Sequence, residues 1–176
     1  MRILTILSTI TVLFATGTFA GTLQDAYDSC GPGNGYDKYL ELAPHQTYTG
    51  GLLVDAGADS CIVGNYAKVD LGGNAKIEAN GYNTLLDVDH LIVYGSSTNA
   101  GIYYANGAEG LVNFCTVCDN YYGIMAIGNV NLTVKNSIVA NNGNFGICWY
   151  EDYPAYIVYC DSWGNSGGNY MDWCDG

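Results

Sequence analysis

Beyond Arg2 the chain has no arginine, and its remaining strong cations are four lysines, Lys38, Lys68, Lys76 and Lys135. Against these stand 17 acidic residues, giving a formal net charge of −12. A field of that sign repels nucleic acid, anionic membranes and polyanionic sugars, and it attracts cations, Ca²⁺ in particular. No nucleic-acid partner is therefore expected. No cofactor is required by any residue pattern, and Ca²⁺ is the one ion the charge invites. Long apolar runs are also missing: past residue 20 nothing reaches the ~18 residues that a membrane-spanning helix needs. A second Cys-x-x-Cys is absent as well. Cys115-Thr116-Val117-Cys118 stands alone, and His45 and His90 lie far from it in sequence, so the signal for zinc is weak.

The one sustained apolar stretch, Ile3 to Ala15, follows the positive charge of Arg2 and leads to Thr18-Phe19-Ala20, a small-x-small cleavage pattern. Residues 1–20 are thus expected to be a signal peptide, with Gly21 beginning a secreted, extracellular or cell-surface protein. No cysteine follows the cleavage pattern, so a lipid anchor is not expected. Seven cysteines in an exported chain imply an oxidising compartment, with structural or disulfide roles and one cysteine left over by the odd count. Cys115 and Cys118, three apart on a strand, would face opposite ways and are not expected to bridge each other.

What the chain does have is repetition. Gly101, Gly123, Gly146 and Gly168 follow one another at gaps of 22, 23 and 22 residues, and the first three precede Ile102, Ile124 and Ile147. Aligning HLIVYGS, FCTVCDN, KNSIVAN and YCDSWGN stacks Leu91, Cys115, Asn136 and Cys160. Two motifs repeating at about 22 residues mark one supersecondary unit that buries its apolar face only by stacking on its neighbours. Asn136 is expected to point inward near a corner, where its amide satisfies backbone groups.

From Lys38 onward, short strand-like segments such as Leu52-Leu53-Val54, Leu91-Ile92-Val93-Tyr94 and Ser137-Ile138-Val139 alternate with Asn- and Gly-rich breaks. Asn and Gly tolerate the left-handed backbone that a sharp corner demands. A meandering antiparallel sandwich would show no register-locked repeat. Roughly 22 residues, less some eight at corners, leave room for three strands of four or five, which suits one turn of a parallel β-solenoid with about 4.8 Å between turns. Residues 21–37, with helical turns around Leu23 to Tyr27 and a Gly31-Pro32-Gly33-Asn34-Gly35 loop, would cap the first coil, and 38–176 would form the solenoid. Something is also expected to cover the last coil. Met171 and Trp173 are candidates for this, and a partner docking at the C-terminal edge is the alternative.

The segments VKNSIVANNGNFGI (Val134 to Ile147), VNFCTVCDNYYGI (Val112 to Ile124) and SWGNSGGNY (Ser162 to Tyr170) resemble the repeats of right-handed parallel β-helix proteins of the pectin-lyase-like group, over about residues 38–173. The stretch from Leu23 to Gly51 resembles the lead-in of exported bacterial β-helix proteins. The resemblance implies an all-β, right-handed parallel β-helix (solenoid) of about six coils with a short N-terminal helical cap. It also implies a choice of chemistries, because the fold hosts several functions. Lyases of the group use Ca²⁺-binding aspartates and a basic residue, whereas this chain has no arginine to offer after Arg2. Its hydrolases carry Gly-His-Gly and Arg-Ile-Lys strings, neither of which occurs here.

Two kinds of site remain. Asp87, Asp89, Asp119 and Asp161 are the weak catalytic or Ca²⁺-binding candidates, with Asp87 and Asp89 two apart and so on one strand face. Inverting hydrolysis needs carboxylates about 6.5–9.5 Å apart, which adjacent coils can supply. The aromatic alternative is a carbohydrate-binding surface. Tyr103, Met125, Cys148 and Tyr170 are read as one outward column, with Tyr121, Tyr122 and Phe145 nearby and a loop running Trp149-Tyr150-Glu151-Asp152-Tyr153. Ring faces stack on sugar C–H groups while carboxylates accept hydroxyl protons. Tyr103, Tyr121, Trp149, Tyr150, Glu151 and Asp152 are the binding candidates. The expected role is a non-catalytic secreted or surface module that binds extracellular polysaccharide, with a polysaccharide lyase or glycoside hydrolase as the alternative. The outward threonine columns of an ice-binding solenoid are missing.

Overall fold

The structure is a computed structural model and describes residues 20–150, 156–171 and 174. The expected signal peptide, Trp173, and the binding candidates Glu151 and Asp152 lie outside the described residues. No described helix is long and apolar enough to cross a membrane.

Among the described residues eighteen short strands form three parallel six-stranded sheets, each sheet taking one strand from every turn, so the chain winds as a parallel β-solenoid of about six coils. The first sheet holds Lys38–Glu41, Asp59–Val63, Leu85–Asp89, Glu109–Asn113, Asn131–Lys135 and Tyr156–Val158. The second holds Thr47–Thr49, Lys68–Gly73, Ile92–Ser96, Thr116–Cys118, Ile138–Ala140 and Asp161–Trp163. The third holds Leu52–Val54, Ile77–Asn80, Ala100–Ala105, Tyr122–Ile127, Phe145–Tyr150 and Gly168–Tyr170.

Period-two alternation decides which side chains enter the core. In Leu85–Asp89, Leu86 and Val88 are buried, whereas Leu85, Asp87 and Asp89 face out. Like then stacks on like. Leu40, Ile62, Val88, Val112 and Val134 make one inward column. Leu52, Ile77, Ile102, Ile124 and Ile147 make another, as the repeat predicts. Each such side chain, removed from water, contributes about 1.5–3 kcal/mol. A third column alternates in size: Ala79 and Ala126 flank Tyr104, whose ring crosses the core to donate its hydroxyl proton to Leu86 O at 2.6 Å.

The bottom is closed by the expected helix, Leu23–Ser29, capped by Thr22 Oγ1 accepting from Asp25 N at 3.0 Å. It buries Leu23 and Tyr27. Lys38 Nζ donates to the carbonyl oxygens of Tyr27, Asp28 and Cys30 at 3.2, 3.2 and 2.8 Å. Tyr27 O also accepts the Cys30 N–H at 3.2 Å, and the lysine adds a charged donor to all three carbonyls at the helix end, so one of the few cations serves as a C-terminal clamp.

Two alignments from the sequence are off by one residue. Cys115 stacks on Leu91, but Ser137 rather than Asn136 stands above it, followed by Cys160. Asn136 instead occupies the corner, with φ +50°. Likewise Gly168 pairs with Phe145, and Asn169 stands over Gly146. The slip conceals the most ordered polar element of the fold. Ser96, Asn120, Asn142 and Asn165 stack at the corner between the second and third sheets, all buried. The Oδ1 of Asn120, Asn142 and Asn165 accepts the backbone N–H of Ser96, Asn120 and Asn142 respectively, each at 3.0 Å. The amide groups satisfy carbonyls the corner would otherwise strand: Asn120 Nδ2 donates to Cys118 O at 2.9 Å, and Asn165 Nδ2 to Val139 O at 3.1 Å.

Among the described residues, six of the cysteines do not meet the disulfide expectation and keep structural roles. Cys30, Cys61, Cys115, Cys118, Cys148 and Cys160 carry free thiols. The geometry explains it for the stacked pair: Cys115 and Cys160 share a column with Ser137 between them, so two rungs of about 4.8 Å each separate their Cα atoms by about 9.6 Å, beyond the ~7 Å a disulfide tolerates. Burial, the largest cause in each case, pushes the Cys115 thiol up to about 12 and those of Cys61, Cys118 and Cys148 up to about 11. The unfolded chain ionises these thiols first, near 9, so their contribution is intact below that pH and is lost as pH rises towards 11 and 12. Urea midpoints measured under reducing conditions should therefore hold steady at neutral pH and fall between about pH 9 and pH 11. A flat profile across that window would contradict the buried thiols.

Candidate functional site

The four aspartates do not converge. Asp87 and Asp89 do share the outer face of the first sheet, as their spacing requires. Asp161 faces out from the second sheet in the column of Thr116 and Ile138, and Asp119 is an exposed corner residue with φ +55°. Asp87 accepts the Tyr36 hydroxyl at 2.6 Å. That bond, with burial second, pushes the Tyr36 phenol far up, so it stays a donor. Asp89 bonds His90 Nδ1 at 2.7 Å through Oδ2 and accepts from Asn113 Nδ2 at 2.8 Å through Oδ1. Asn113 Oδ1 in turn accepts from Asn136 Nδ2 at 3.0 Å. Both carboxylates are thus committed to neighbours on the chain. Among the described residues no group of three or more His, Cys, Asp or Glu side chains could hold a metal ion, so the four aspartates do not form a Ca²⁺ cluster with one another.

His90 also belongs to an aromatic stack along the corner between the first and second sheets. His45, Tyr66, His90 and Phe114 follow one another with ring centroids 6.4, 5.3 and 4.8 Å apart. All four have positive φ. Their faces are used against one another, apart from the edge-on Tyr66–His90 contact at 84°, so this ladder staples the corner and offers mainly ring edges to a ligand.

The tyrosine candidates are partly gathered on the outer face of the third sheet. Tyr103 and Met125 stack there, and Cys148 stands next, its Sγ 3.4 Å from Met171 Sδ. Tyr170 does not join that column: it sits above Ile147 on the inward side and packs against the core. Tyr121 meets Tyr122 edge-on at 4.8 Å, and Tyr150 is exposed. The Tyr150 phenol is pushed up by burial first and by Cys148 next. Lys76 Nζ lies 4.1 Å from the Tyr103 ring centroid and 3.0 Å from Glu78 Oε2. Between Lys76, Asn99, Tyr103, Tyr122 and Met125 is a recess of about 200 Å³. Lys135 is on the first sheet, so the lysines are not gathered.

Trp149 departs from expectation. It is the penultimate residue of the strand Phe145–Tyr150, in the inward column of Ala79, Tyr104 and Ala126, and is only 1% exposed. Alternation from Ile147 forces this: 147 and 149 share a face. Lys76 and Asn99 were not singled out as ligand contacts, and no local signal marks them, because only coil stacking carries them to Tyr103 and Tyr122.

Three parallel sheets stacked rung on rung define a β-solenoid. A family model described as "Right handed beta helix region" matches residues 75–175, more than half of the chain, and the chain belongs to that family. It matches no curated protein and no solved structure.

Proposed function

We propose that the protein is an exported β-helix module that binds neutral polysaccharide without cleaving it, on the outer face of the third sheet. The recess between Lys76, Asn99, Tyr103, Tyr122 and Met125 carries this reading. Tyr122 and Met125 offer apolar surface to sugar C–H groups, while Lys76 and Asn99 supply hydrogen-bonding groups for hydroxyls. The net charge of −12 disfavours polyanionic chains and leaves neutral ones.

The test uses protein recovered from the culture medium, whose N-terminus should read Gly21. It should be retained on at least one neutral polysaccharide and on no polyanionic one, and Tyr122→Ala should weaken retention about tenfold. Equal retention of Tyr122→Ala, or no retention on any neutral chain, sinks the reading.

A second reading, a polysaccharide-cleaving enzyme, is favoured by one observation: Asp87 and Asp89 share a face beside His90. The same incubations, with and without Ca²⁺, decide it. Reducing or unsaturated ends released by the wild type and not by Asp89→Asn would replace the non-catalytic proposal.

A further inference from the structure

At the corner between the third and first sheets a cleft of about 590 Å³ opens, well inside the size of small-molecule sites. Its lining includes the buried residues Val130, Leu132 and Trp149. Tyr82 and Tyr156 also border it and are 67% and 66% exposed. Tyr82 is held in place: its ring fills the space that a Cβ on Gly107 would need, and its hydroxyl oxygen accepts from Asn129 Nδ2 at 3.4 Å. Asn131 Nδ2 donates to Glu109 Oε2 at 3.3 Å. Each carboxamide therefore spends a donor on the chain and keeps its oxygen for another partner.

Trp149 adds an independent observation. Its Nε1–H is the one buried side-chain nitrogen or oxygen among the described residues with no hydrogen-bond partner. A buried donor without an acceptor is disfavoured, and native structures seldom keep one without cause. Here the unpaired donor belongs to a residue lining a cleft with apolar surface, exposed rings and two carboxamide oxygens.

We propose that this cleft binds a single uncharged sugar ring, one of whose oxygens accepts the Trp149 Nε1–H. A hydroxylated ring supplies that acceptor and also the donors that the Asn129 and Asn131 oxygens call for. Its C–H face suits Val130, Leu132 and the tyrosine rings. An aromatic ring of similar size brings no comparable set of donors. Glu109, hydrogen-bonded to the lining residue Asn131, and the net charge of −12 discourage an anionic sugar. The inference rests on reading the chain as a glycan binder, but it uses none of the residues of the third-sheet recess.

The indole N–H signals of nitrogen-15-labelled full-length protein report on it directly, with the Trp149 signal assigned by its loss in Trp149→Phe. Titration with glucose, galactose, mannose or N-acetylglucosamine should shift that signal for at least one sugar. Trp149→Phe, which keeps a ring in the core, should bind that sugar about tenfold more weakly. Tyr82→Ala, altered at an exposed rim position, should weaken it comparably and serves if Trp149→Phe does not fold. A signal unmoved by every sugar overturns the inference, as does movement with phenol but with no sugar, or unchanged affinity in Tyr82→Ala. If polysaccharide retention fails while the Trp149 signal still moves, this site stands and only the third-sheet reading falls. If retention holds while the signal stays put, only this site falls.

Discussion

Asn142→Ala is expected to lower the unfolding free energy by about 2 to 4 kcal/mol. Its side chain accepts the buried N–H of Asn120 at 3.0 Å and donates to Asn165 Oδ1 at 2.8 Å and to Val117 O at 3.4 Å. Alanine removes all three contacts and hands back no water, because the position is fully buried. The Asn120 N–H is then stranded in a place where an unpaired donor carries its whole desolvation penalty. Asn131→Ala is the fitting control: Asn131 is exposed and its side chain reaches only Glu109 Oε2 at 3.3 Å, so a change within about 0.5 kcal/mol is expected. Urea unfolding followed by far-UV circular dichroism compares the two. Similar midpoints for both variants would mean the buried stack contributes little.

Gly123→Ala should be at least as damaging, by about 3 kcal/mol or more, and should reduce soluble yield. A Cβ there would run into the Gly146 carbonyl oxygen and Val139 Cγ1 and lie 2.9 Å from Asn142 Nδ2. Two of these belong to backbone or packed core and have nowhere to go. The backbone of Gly123 is not left-handed, so the requirement is for space. Gly101 is under the same constraint: its Cβ would lie 2.7 Å from Asn120 Nδ2 and 2.8 Å from Val117 Cγ1. By contrast Gly143→Ala, whose nearest would-be contact is 3.6 Å from Tyr121 Cδ2, should be tolerated. If Gly123→Ala and Gly143→Ala unfold alike, the steric account is wrong.

These two substitutions explain both what could be read from the chain and what could not. The Gly-Ile repeat announced the coils, and Ile102, Ile124 and Ile147 do stack in register. Why glycine precedes isoleucine was not legible, since the reason is the asparagine packed against it, and those asparagines drift against the repeat. Asn120 lies three residues before Gly123, but Asn142 lies four before Gly146, because the later turn is one residue longer. Aligning FCTVCDN with KNSIVAN set Asn141 rather than Asn142 against Asn120, and so put Asn136 where Ser137 belongs. The shared face of Asp87 and Asp89 followed from strand geometry alone. Their partners did not: Tyr36 reaches Asp87 from 51 positions away. Trp149 looked like part of a surface loop because aromatic and acidic residues follow it, yet strand alternation carried past Ile147 turns it inward.

The asparagine stack also governs how such a protein can grow. Every rung from Asn120 to Asn165 presents the same acceptor downwards and the same N–H upwards, so an extra coil of about 23 residues inserted among them would find complementary groups on both sides. Below Ser96 the column passes to Gly73, beside a break in pairing register between Asp70 and Gly73. A coil added there would meet no amide to dock with. Duplication of whole coils, in evolution or by engineering, is therefore easiest in the upper half of the molecule, which is where the repeat is cleanest.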